Sequence, residues 1–295
     1  MRKIVLRPWI VAGSLCVLLR LAALDQQAPP PAAPQVPAQE LVRRVIANEE
    51  KANNGHLRLL YRMRTETPRG SVTKEMVETN DGVVARLIAL NDKPLTAEER
   101  QRDDERLQKL ASDPEARTAK RKQQKEDEER TTRMVKALPD AFLYEYDGFE
   151  PGKDGQQLVR LKFKPNPKYD PPTRELQVYQ GMDGSMLIDP GDERLVRIQA
   201  HLFKGVNFGW GILGHLDPGG QFMVEQSRVG GDRWEVTDMR LRFTGKIMLI
   251  KNLNISEHET AFDYRHAPEN LTFTQGVEFL KKQPQYLAEQ KSQQQ

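Results

Sequence analysis

The side chains that most often do chemistry are sparse here and badly spaced for it. The five histidines are His56, His201, His215, His258 and His266. None stands at a metal-ligand spacing from another, and Glu257-His258-Glu259 lacks the second histidine of a zinc-protease helix. They read as surface or turn residues, with His201 on the polar side of its segment. The single cysteine, Cys16, lies in an apolar N-terminal stretch. The rest of the chain therefore has no disulfide, thiolate nucleophile or cysteine metal site. Leu15 before Cys16 argues against lipidation. No Gly-x-Ser-x-Gly elbow occurs, and acidic neighbours such as Asp103-Asp104 point different ways on a helix. The chemistry left is binding: the expectation is no enzyme, no catalytic residue, no metal and no cofactor, with an unrecognised secreted hydrolase as the third alternative after a binding protein and an interaction scaffold.

One segment has a functional reading. Residues 205–220 hold Gly205, Gly209, Gly211, Gly214, Gly219 and Gly220. A phosphate loop would continue into Lys-Ser/Thr at a helix start. Here Phe208, Trp210, Ile212 and Leu213 are interleaved instead. Two readings stand open: a bulged connection between strands, or an apolar-tipped flap at a cavity mouth built on Phe208, Trp210 and Ile212.

Composition narrows the partners. The chain has 295 residues, 38% hydrophobic, with mean hydropathy −0.69 and formal charge +3. The surplus is N-terminal: residues 1–25 hold Arg2, Lys3, Arg7 and Arg20 against Asp25, and the remainder is neutral. A nucleic-acid binder needs a standing positive field, so nucleic acid is not expected.

The N-terminus reads as an address. A basic start leads into the apolar run Trp9 to Leu19, too short to cross a bilayer core needing ~20 residues. That pattern predicts a signal peptide over 1–25 and a periplasmic or secreted protein that is not integral to the membrane once cleaved; a retained short anchor is the alternative. Pro29, Pro30, Pro31, Pro34 and Pro37 make 26–39 an extended linker.

The folded part is expected over 40–285, with a disordered tail at 286–295. Leu41, Val42, Val45 and Ile46 share one helical face, and Asn53-Asn54-Gly55 supplies a stop. Leu57, Leu59, Tyr61 and Met63 then alternate with Arg58, Arg62 and Arg64, as in a half-buried strand. Val72 to Thr79 and Val83 to Leu90 form a hairpin around Asn80-Asp81-Gly82. Residues 96–137 interrupt with a capping box, Thr96 and Glu99, and two charged helices divided at Asp113-Pro114. This insertion reads as a solvated helical hairpin with i,i+4 ion pairs, or as a docking arm for an envelope protein.

Strands follow from Phe142 onward. Leu176 and Val178 are assigned to one, with turns at Asp183-Gly184, Asp189-Pro190-Gly191 and Gly230-Gly231-Asp232. Ile247 to Ile255 and Thr260 to Tyr264 are two further strands, and a helix spans Thr274 to Lys282. No βαβ rhythm appears. The predicted fold is mainly β with helices (α+β): an antiparallel curved sheet, a half-barrel of about ten or eleven strands covered by helices.

An export signal, an amphipathic helix at Leu41 to Ala52, and meander strands such as Gly184-Ser185-Met186-Leu187-Ile188-Asp189 followed by Arg194-Leu195-Val196-Arg197-Ile198 together resemble the periplasmic lipoprotein carriers of the LolA/LolB type. The resemblance spans roughly residues 40–280 and rests on architecture. It implies a half-barrel whose apolar concave face holds a lipid or lipoprotein acyl chain. The inward residues Leu59, Tyr61, Met63, Leu161, Phe163, Ile198 and Leu202 would line it. Ordinary core packing is the competing assignment for each. The charged insertion departs from a simple lid, and the family's lid-latching arginine is not identifiable.

Overall fold

The computed structural model describes residues 36–52, 58–153, 155–208, 214–229, 233–247 and 251–283. The expected signal peptide, most of the expected proline-rich linker, the stop expected at Asn53-Asn54-Gly55, the turn expected at Gly230-Gly231-Asp232, Trp210, Ile212 and the expected C-terminal tail lie outside these. Residues 33–295 form one compact unit.

Its chain runs α1 (Ala38–Ala52), β1 (Leu59–Thr67), β2 (Gly70–Thr79), β3 (Gly82–Leu90), β4 (Lys93–Pro94), α2 (Ala97–Ser112), α3 (Pro114–Ala141), β5 (Phe142–Pro151) and β6 (Gln157–Pro165). A 3-10 helix (Glu175–Gly181) follows. Then come β7 (Met182–Asp189), β8 (Arg194–Leu202), β9 (Val206–Phe208), β10 (Gly214–Leu216), β11 (Gln221–Val229), β12 (Arg233–Ile247), β13 (Lys251–His266) and α4 (Phe273–Lys281). The strands make one open 13-stranded sheet, ordered β4-β3-β2-β1-β13-β12-β11-β8-β7-β6-β5, with β9 and β10 added beside β12. Every pairing is antiparallel. The fold class is α+β, as expected.

The helices divide between the two faces. Following the register from Leu161 through Met186, Ile198, Val224, Met239 and Glu259 to Thr65 traces one face across the sheet. On the β5–β8 half of that face sit α1, the end of α3 and the 3-10 helix, sealing a core that includes Val42, Val45, Phe142, Leu161, Phe163, Met186, Ile198 and Leu202. The opposite face is covered only at the β1–β3 end. There α2 and α4 bury Leu107, Phe273, Val277 and Leu280 against Leu60, Val77 and Val84. Among the described residues, the cores begin at Val36.

Local chemistry explains the helix ends. Thr96 accepts from the Glu99 amide while Glu99 returns to the Thr96 amide, the anticipated capping box. Asp113 caps α3 and Pro114 occupies its first turn, where a missing N–H costs nothing. The charged insertion is tied down at both ends. Leu107 and Ala111 of α2 lie in the smaller core, whereas Leu138 and Ala141 of α3 lie in the larger one. With 28 residues at ~1.5 Å rise, α3 runs from the β2–β3 turn to the other edge of the sheet. Lys120 Nζ donates to the Val83 carbonyl near its start. Residues 125–133 are exposed.

Three sequence-based expectations need correction. Leu176 and Val178 belong to the 3-10 helix, where both are buried; two apolar residues two apart suit a single helical turn as well as a strand. Asp183-Gly184 lies inside β7 and is no turn. A Cβ at Gly184 would stand 2.0 Å from the Gln199 carbonyl oxygen, so glycine serves close strand approach there. Ile247 belongs to β12, and residues 251–266 are one strand. The four polar residues Ser256-Glu257-His258-Glu259 interrupt the apolar alternation and make that strand read as two, although its pairing with β12 runs unbroken through them.

Candidate functional site

A large hollow lies on the sheet face opposite α1. It is an open trough of about 1400 Å³, beyond the ~300–1,000 Å³ of a small-molecule pocket. Eight strands line it, and cross-strand register sorts the lining into rows. One row carries Lys164, Asp183, His201, Gln221, Arg242 and Ser256. The next carries Glu145, Lys162, Ser185, Gln199, Met223, Arg240, His258 and Glu66. A third begins with Arg160, Arg197 and Glu225. These are the polar halves of the same alternating strands whose other halves form the core.

Charge in the trough is mostly paired. Arg197 bridges Glu150 at 3.4 Å and Glu225 at 3.1 Å, and Lys153 also reaches Glu225. Arg160 and Lys162 share Asp147, at 3.1 and 2.6 Å. His201 meets Asp183 at 2.8 Å, and His258 meets Asp238 at 2.9 Å beside Arg240. Arg242 is exposed and has no ion-pair partner among the described residues. Gln199 donates to the Ser185 hydroxyl at 3.1 Å. The apolar side chains reaching in are few, chiefly Leu143 and Met223. Such a surface offers hydrogen bonds and charges of both signs; among the described residues no serine hydroxyl of the lining is bonded to His201 or His258.

Burial pushes the Glu225 carboxyl up, but bonds from Lys153 and Arg197 outweigh it, and it sits below its ordinary 4.5. A carboxyl lowered in the fold contributes stability that is full above 4.5 and is lost as pH falls through its native value. Glu259 behaves oppositely: burial, with Glu257 beside it, raises its carboxyl, so its contribution is lost as pH rises through that raised value. Glu225→Gln should therefore flatten the fall of melting temperature with acidification below pH 4.5. An unchanged slope in a pH series of melting curves would remove Glu225 from the account.

The expected lining residues fare differently. Leu161, Ile198 and Leu202 are sealed beneath α1 and α3, at 0%, 5% and 0% exposure. Phe163 belongs to the same core and also borders the trough. Leu59 is buried, Met63 half-buried, and Tyr61 stacks on Tyr264 at 5.2 Å. These residues share the face that the helices cover on its other half, and they do not converge on the trough. Phe208, from the expected flap, packs at the margin of the larger core. Sequence reading missed Arg197, Glu225, Arg240, Arg242 and His258. The signal available in the sequence was that charged residues alternate with apolar ones along β6, β8 and β12; which strands stand side by side it did not carry.

Fold and site together define an open antiparallel-sheet protein with a polar trough. Among known proteins, no family model matches the chain and no curated protein resembles it. A solved structure, a DUF1329 family protein from Desulfovibrio piger, aligns over 79% of this chain and 93% of its own, with 12% identity and a TM-score of 0.31. A likeness that distant carries no functional argument.

Proposed function

We propose that this is an exported, non-catalytic binding protein of the cell envelope whose trough holds the polar head of an amphiphile such as a lipid. The trough itself carries the reading: a hollow too large for a small metabolite, with paired charges, Arg242 left unpaired, and no reactive arrangement. The lipoprotein-carrier resemblance read from the sequence supports the amphiphile. The filled core on the helix-covered face speaks against the whole acyl chain being swallowed there. An acyl chain would instead lie along Leu143 and Met223. The proposed N-terminal signal and proline-rich tether would keep the domain beside a membrane.

Titration with dihexanoylphosphatidylglycerol, followed by NMR shifts, tests this. Arg242→Ala removes one charged contact worth about 1.5–3 kcal/mol and should weaken binding at least tenfold. Met223→Trp should block the trough. Binding unaffected by both substitutions, or no binding to the unaltered protein, would sink the reading.

A second reading, a protein-docking scaffold, is favoured by the exposed run 125–133 of α3. It would be preferred if charge reversals there abolished association with an envelope protein while lipid binding stayed intact.

A further inference from the structure

The two edges of the open sheet are protected in different ways. β5 protects itself: it carries Glu145, Asp147 and Glu150, shifts register between Tyr146 and Phe149 with Gly148 at φ 90°, and ends at Pro151. Charges, bulges and proline are what keep an edge strand from recruiting another. β3 has little of this. From Val83 to Leu90 it reads Val-Val-Ala-Arg-Leu-Ile-Ala-Leu, with one charge in eight residues, a composition that favours strand-to-strand association. β4 covers β3 only at Ala89 and Leu90. Residues 82–87 pair with β2 on one side and meet no strand on the other among the described residues.

Side chains of the helical insertion stand where the next strand would be. Lys120 Nζ donates to the Val83 carbonyl at 3.1 Å, and Arg106 Nη2 donates to the Ala85 carbonyl at 2.8 Å. The Leu87 amide donates to Asp103 Oδ2 at 3.0 Å. These backbone groups belong to alternate residues, and alternate residues of an antiparallel strand present their N–H and C=O to the same side. One row of outward groups is therefore met by two donors and an acceptor, and then by β4. The set is held in place. Asp103 is 7% exposed and also accepts from Arg106 Nε at 2.8 Å, while Lys120 Nζ lies 5.3 Å from the Phe273 ring centroid. Arg86, the one charge of the segment, donates to the Leu280 carbonyl at 2.8 Å.

We propose that α2 and the start of α3 are an edge cover, whose Asp103, Arg106 and Lys120 stop β3 from accepting the β3 of a second copy of this chain. The bare edge is self-complementary. Antiparallel pairing centred on Ala85 sets Val83 opposite Leu87, Val84 opposite Arg86 and Ala85 opposite itself, so aliphatic residues meet and no like charges are opposed. Outward backbone groups left without partners would be satisfied by that second strand. The charged insertion thus has a task that depends neither on the trough nor on what it binds.

The test removes the two donors. Arg106→Met/Lys120→Met keeps the apolar stems and leaves the Val83 and Ala85 carbonyls bare. Sedimentation equilibrium at roughly 100 µM protein should show the average mass about doubled relative to the unaltered protein, with the melting transition retained. Adding Val83→Pro, whose missing N–H lies on the outward side, should return the mass to that of the unaltered protein. If the pair variant loses its melting transition, Lys120→Met alone decides by the same readings. An unchanged mass in the folded variant, or an increase that Val83→Pro leaves in place, overturns the proposal.

Discussion

Phe142→Ala should be among the most damaging single substitutions in the protein, costing about 3–5 kcal/mol. Phe142 is 2% exposed and opens β5 directly after α3. Its ring centroid lies 4.7 Å from that of Phe163, 5.0 Å from Tyr179 and 6.4 Å from Tyr144. Each tyrosine in turn holds α3: the Tyr144 hydroxyl donates to the Leu138 carbonyl and the Tyr179 hydroxyl to that of Met134. Removing the ring opens a cavity at the joint of helix, sheet and 3-10 helix, where three rigid elements cannot collapse together. Since domains are stable by only ~5–15 kcal/mol, much of the native margin goes. Urea unfolding would measure it, with Phe142→Leu as the milder comparison. Equal losses from Ala and Leu would show that the aromatic cluster is not the anchor.

Glu75→Ala should cost nearly as much, about 3–5 kcal/mol, because it removes the buried carboxylate that faces Arg265 and the buried Arg62. Glu75 and Arg62 are 2% and 4% exposed on the trough face of β1 and β2. Glu75 lies 3.5 Å from Arg62 and 3.2 Å from Arg265, and Arg62 also bonds Asp263 at 2.6 Å. Replacing both partners of the central pair, Arg62→Met with Glu75→Leu, removes the charges together and should cost less than Glu75→Ala alone. A double variant as unstable as the single would mean that packing at this site, rather than charge burial, sets the penalty.

The alternation that marks β1, β6 and β8 is readable in one dimension, because side chains in a strand must point to opposite faces. Helix boundaries were equally legible where a cap stood at the right place, as at Thr96 and Asp113. Which face becomes core was less legible. Leu161, Ile198 and Leu202 could line a hollow or fill a core, and only the docking of α1 and α3 on them decides. The Leu176–Val178 segment misled because its short apolar spacing fits a strand and a single helical turn alike. The single long strand 251–266 was hidden by the polar run Ser256-Glu257-His258-Glu259, which breaks the apolar alternation while backbone pairing continues through it.

By itself the sequence determined local states: strand or helix, capped or not, charged or apolar, and the absence of any motif that activates a nucleophile. Those depend on neighbours within a few residues, and spacing reports them directly. Tertiary structure alone decided that Arg197, Arg240, Arg242 and His258 share one trough, and that β9 and β10 stand beside the ends of β12 and β13. Antiparallel pairing sets such neighbours through backbone hydrogen bonds between strands far apart in the chain, and those bonds are indifferent to side-chain identity. Periodicity along the chain therefore cannot specify which strands meet.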